Sequence, residues 1–157
     1  MKVGDILIPQ CSVSGCGADR FLSGAKLSQN DSFGKAFHPN KESFQKMYEI
    51  AQEKTRKSGF NVFTTKTFSA DTVLGEYAHL DEILALGCDS IEMETATFFC
   101  AAEITGKRAV ALLYVADNTI AGKSLYKGRT KEDKERKEKV KQTIIPTVLI
   151  NYFNSFP

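Results

Sequence analysis

Short apolar runs alternate with helix-patterned stretches along almost the whole chain, and this alternation limits the fold more than any other feature. Gly4-Asp5-Ile6-Leu7-Ile8-Pro9 reads as a buried strand bounded by glycine and proline, and residues 60–65, 88–93 and 108–115 read as further strands. Between them, Asn40 caps an expected helix over residues 40–58, with Phe44, Met47, Ile50 and Ala51 on one face and Gly59 at its end. Residues 76–86 predict a second helix closed by Gly87. Residues 94–105 predict a third, ending at Gly106, and residues 131–153 a last one bent at Pro146. Residues 10–40 keep no steady period, so they are expected as a long irregular segment, and Ser69-Ala70-Asp71 and residues 118–128 as loops. Strands alternating with helices predict an α/β fold: a mixed, mostly parallel sheet flanked by helices, in one domain over residues 1–157. So few strands leave an open edge, which predicts that another copy or a missing segment lies against it.

A formal charge of +2 is too small for a dedicated nucleic-acid binder. The apolar runs are too short to span a bilayer, and no leader-like stretch precedes Pro9, so the expected location is cytoplasmic. Cys11, Cys16, Cys88 and Cys100 form no CxxC pair and stand far from His38 and His79, so neither a metal site nor a cofactor is expected and the thiols read as reduced. Gly15-Cys16-Gly17 reads as a turn rather than a phosphate cradle, and the basic and acidic residues between Lys123 and Lys141 as a solvated helix face.

Two segments place carboxylates at the C-terminal ends of expected strands, where ligands of open α/β sheets bind. They are Ser90-Ile91-Glu92-Met93-Glu94-Thr95-Ala96 and Tyr114-Val115-Ala116-Asp117-Asn118. One carboxylate can accept from both hydroxyls of a sugar, and a second carboxyl group can protonate a leaving group, which together point to glycosidic-bond chemistry. The bland alternatives stay open: Glu94 as a charge favouring its helix start and Asp117 as a turn residue.

These residues resemble the signature of the purine nucleoside and uridine phosphorylases. Ile91-Glu92-Met93-Glu94-Thr95-Ala96 ahead of Ala116-Asp117 carries the resemblance, with Gly4-Asp5-Ile6-Leu7-Ile8, Phe68-Ser69-Ala70-Asp71 and Gly106-Lys107-Arg108-Ala109-Val110 matching in order. The resemblance implies a phosphorylase-like fold acting on a purine nucleoside, with inorganic phosphate as co-substrate. It implies that Met93 lies against the ribose, that Glu94 accepts from its 2′- and 3′-hydroxyls with Glu92 in support, and that Asp117 protonates purine N7 with help from Arg136. Phe68, Ser69, Ala70 and Val73 would border the base. The chain departs from the family at Ala116, where a serine is usual, and at Val73, beside the place of an aromatic that stacks on the base. The family's front part, with its Gly-rich strand-turn and phosphate-clamping arginines, has no counterpart here, so the domain is expected to be incomplete at its N-terminus. Three readings follow: a phosphorylase-type domain inactive by itself, a non-catalytic remnant that binds nucleoside or nothing, and a nucleosidase that uses water.

Overall fold

The structure is a computed structural model describing residues 1–17, 33–118, 120 and 130–156. Most of the expected 118–128 loop and the middle of the 10–40 segment fall outside these residues. The chain forms two compact units. The first comprises Met1–Ile8, Gln45–Thr64 and Leu112–Pro157, and the second Pro9–Phe44 and Thr65–Ala111.

The sheet is mixed. Strands β1 (Ile6–Gly15), β2 (Ala36–Phe37), β3 (Val62–Ala70) and β4 (Ser90–Glu92) lie in the order β2-β1-β3-β4, and β5 (Leu113–Tyr114) pairs with the start of β1. The two-residue ladders of β2 and β5 on β1 are antiparallel, whereas β3 and β4 run parallel. The α/β class with helices between strands is as expected. Two strands outrun the sequence reading. β1 continues through Pro9 to Gly15, because its registers with β5 (Ile6, Leu7) and β2 (Ser12, Val13) leave Pro9 where neither ladder asks for an N–H. β3 continues through Ser69 and Ala70, which had been expected in a loop. Thr67, Phe68 and Ser69 pair with Ser90, Ile91 and Glu92. Conversely, the expected strand at residues 108–115 is only Leu113–Tyr114.

The helix over residues 40–58 is realised as α1 (Lys41–Thr55), with the Asn40 side chain accepting from the Ser43 N–H at 3.0 Å. The second expected helix breaks into α2 (Val73–Ala78) and α3 (Leu80–Ala85). Helix α4 (Thr95–Thr105) ends on Gly106 in the left-handed conformation. In the second unit its residues Ala96, Phe99 and Cys100 pack with Phe37 and Ala109, while Val13, Phe68, Ala70, Ile83 and Cys88 form a separate cluster.

The C-terminal helix is α5 (Lys131–Lys139) and α6 (Ile145–Phe153), joined by one π-helical turn at Val140–Ile144. A proline ring collides with the carbonyl four residues earlier, and a wider turn just before Pro146 is the local remedy, so the expected irregularity is an expanded turn. Within the first unit, Gly4 adopts φ 87°, and a Cβ there would sit 2.7 Å from the Phe60 ring, so only glycine fits. No helix among the described residues is long and apolar enough to cross a membrane.

Candidate functional site

Parallel pairing of β3 with β4 sets Ser69 beside Glu92. The Ser69 hydroxyl donates to Glu92 Oε1. Ser69 has a single proton, so the neighbouring Ser12 hydroxyl, 3.0 Å away, must be the donor in the Ser12–Ser69 contact. Ser69 Oγ also accepts the Ala96 N–H at 2.8 Å. The other carboxylate oxygen of Glu92 accepts three donors: the Glu94 N–H at 2.8 Å, and the Thr95 N–H and Thr95 hydroxyl at 2.7 Å each. Glu92 thus takes four donors, and it faces the start of α4, where a negative charge opposes the positive end of the helix dipole.

This arrangement changes what Glu94 does. Glu94 is the N-cap residue of α4, with φ −133° and ψ −26°, yet its side chain makes no capping bond. An N-cap side chain ordinarily accepts an N–H from the first turn. Here Glu92 and Ser69 already hold the N–H groups of Glu94, Thr95 and Ala96. The exposed Glu94 carboxylate accepts no hydrogen bond among the described residues. Met93 beside it is also exposed, at 41%. The pair is therefore presented outward from a backbone fixed from below.

The residues expected along the base divide. Ser69 is fully buried in the network just described, and Phe68 and Ala70 point into the core with Val13, Ile83 and Cys88. Gly15 passes so close to the Phe68 ring that a Cβ would lie 2.1 Å from Cζ. Val73, the first residue of α2, is half-buried. The exposed ring of Phe33, which sequence reasoning passed over, sits edge-on to Phe68 with centroids 6.3 Å apart. Asp71, just after β3, accepts the Gly17 N–H at 2.9 Å, and Gly15, expected in a turn, is the last residue of β1. Burial pushes the Cys88 and Cys11 thiols above the ordinary thiol range against the pull of the Lys66 ammonium, which suits unreactive thiols.

Asp117 and Arg136 belong to the other unit. Asp117 is half-buried just beyond β5, and its carboxylate accepts no hydrogen bond among the described residues. Beside it, the Asn118 side-chain amide donates to the Met1 carbonyl at 3.0 Å. Arg136, expected to assist Asp117, has other partners. Its guanidinium donates to the Val3 carbonyl at 2.7 Å, to the Gly59 carbonyl at 3.1 Å and to Asp5 Oδ1 at 3.2 Å, and it lies 4.5 Å over the Phe60 ring. Asp5 is fully buried and also accepts the Lys2 and Asn61 N–H groups. The described residues contain no group of three or more His, Cys, Asp or Glu able to hold a metal ion.

The family model of the phosphorylase superfamily matches residues 1–149. The chain belongs to the phosphorylase superfamily. Among curated relatives of this superfamily chain, a DeoD-type purine nucleoside phosphorylase from Anoxybacillus flavithermus is 26% identical over 124 residues. The match covers 78% of this chain and 47% of the relative. One from Bacillus velezensis is 30% identical over 81 residues, covering 52% and 33%. The chain thus spans about half the length, or less, of these relatives. A solved structure from Weissella paramesenteroides, there called a methylthioadenosine nucleosidase, superposes with a TM-score of 0.68 at 19% identity, over 100% of this chain and 63% of that one. This likeness shows that the superfamily fold is present. The residues that sequence reasoning missed are Ser12 and Thr95, which complete the hydrogen bonds around Ser69 and Glu92. The only signal for them was a hydroxyl side chain in the second half of β1 and another at a helix start.

Proposed function

We propose that the chain is the ribose- and base-recognising portion of a purine nucleoside phosphorylase, in which Glu94 binds the sugar and Asp117 protonates the base. The observation that carries this reading is the presentation of Glu94: its carboxylate is relieved of helix capping by Glu92 and Ser69 and is left outward as an acceptor for two adjacent hydroxyls. In the proposed reaction a phosphate oxygen attacks C1′ and the bond from C1′ to purine N9 breaks. Its electron pair passes into the base, and N7 takes the proton of Asp117, so a neutral purine leaves. The sugar becomes oxocarbenium-like as the bond lengthens. Phosphate is bound by groups in the part of the relatives that this chain does not span, and the assembled enzyme is a homo-oligomer. By itself the chain binds nucleoside without turning it over.

The test is inosine phosphorolysis by this chain alone and by the chain joined to the front segment of a DeoD-type relative, with products separated by chromatography. The joined form should release hypoxanthine and ribose 1-phosphate, and Asp117→Asn should slow it about 10²–10⁴-fold. Ribose in place of ribose 1-phosphate would assign hydrolysis. A joined form that neither binds nor cleaves inosine would overturn the proposal.

A further inference from the structure

Among the acids of the Glu92-Met93-Glu94 segment, one is bound down and one is presented, and the residue that separates the two roles is Ser69. Its hydroxyl lies where three elements meet: β1 through Ser12, β4 through Glu92 and the first turn of α4 through Ala96. With Ser12 and the Ala96 N–H both donating to it, Ser69 Oγ is left one direction for its proton, toward Glu92 Oε1. That bond turns the carboxylate so that its other oxygen collects the N–H groups of Glu94 and Thr95. Were the Ser69 hydroxyl lost, the Ala96 N–H would lose its acceptor and Glu92 its partner across the sheet, and the Ala96 N–H, second in the helix, is the donor that the N-cap side chain of Glu94 is placed to take. Glu94 would then be drawn into capping α4 and lost to a ligand.

We infer that Ser69 is a positioning residue for ribose recognition, acting by its hold on the Ala96 N–H, with Glu92 orienting its hydroxyl, to keep Glu94 out of the helix cap and available to the sugar hydroxyls. This rests on the proposed role of Glu94 and deepens it. It also separates Ser69 from its expected place beside the base: a residue acting through Glu94 affects the sugar, and a base-lining residue affects the base.

The experiment compares binding of inosine and of hypoxanthine to the full chain by calorimetry, for the wild type, Ser69→Ala, Ser69→Thr and Glu92→Gln. The expected result for Ser69→Ala is roughly tenfold weaker inosine binding, the size of one lost charge-assisted hydrogen bond, with hypoxanthine affinity unchanged. Ser69→Thr, which keeps the hydroxyl, should restore inosine affinity. Glu92→Gln should show the same sugar-specific loss if Ser69→Ala proves too unstable to purify. Equal weakening of both ligands by Ser69→Ala and Glu92→Gln, or of neither, overturns the positioning role. A second measurement keeps this separate from the functional reading. In 15N spectra without ligand, Ser69→Ala should shift the Glu94, Thr95 and Ala96 amides together and expose them to faster hydrogen exchange. If the wild type binds no inosine, the role of Glu94 falls, and the amides alone then decide: unmoved Glu94 and Ala96 signals overturn the hold of Ser69 on the helix cap.

Discussion

Glu92 in one unit, half-buried, and Asp5 in the other, fully buried, are acids satisfied by opposite chemistry. Glu92 is surrounded by neutral donors: two hydroxyls and two backbone N–H groups. Asp5, fully buried, takes two backbone N–H groups and a guanidinium. The neutral shell organises a short segment of backbone and leaves the next carboxylate available. The ionic shell ties the N-terminal segment to the C-terminal helix through Arg136, the arginine that the family resemblance assigns beside Asp117.

The contrast can be broken most forcefully at Arg136. Arg136→Met leaves Asp5 buried without its counter-charge and should lower stability by about 3 kcal/mol, measured by urea denaturation. The double variant with Asp5→Leu should recover part of that loss, because a buried pair removed together costs less than one removed alone. Glu92→Ala strands several donors at the start of α4 and should cost about 2 kcal/mol by the same measurement. Asn40→Ala removes an ordinary cap, one made by the N-cap side chain itself, and should cost about 1 kcal/mol. Glu94→Ala sharpens the comparison from the other side. Although Glu94 is also an N-cap residue, its side chain caps nothing, so stability should change by no more than about 0.5 kcal/mol while inosine affinity is lost.

The fold was legible where its causes are local. Asn40 capping α1, Gly106 ending α4 and Pro146 disturbing the last helix each depend on groups within about a turn, so the residues announce them. The segments bearing Glu94 and Asp117 were legible for a related reason: acids just past strand ends are placed by strand periodicity. Less legible were strand lengths. Pro9 and Ser69 look like breakers in isolation and become strand residues because their neighbours in the sheet either ask nothing of them or pair with them.

The sequence by itself therefore determined the alternation of elements, their caps and the identity of the acids near the strand ends. Tertiary structure alone decided what each acid touches. Ser69 reaches Glu92 across 23 residues of chain and Arg136 reaches Asp5 across 131, and no periodicity reports such encounters. A carboxylate takes up whatever donors the fold delivers to it, so its role follows from contacts that exist only after the strands have paired and the helices have packed.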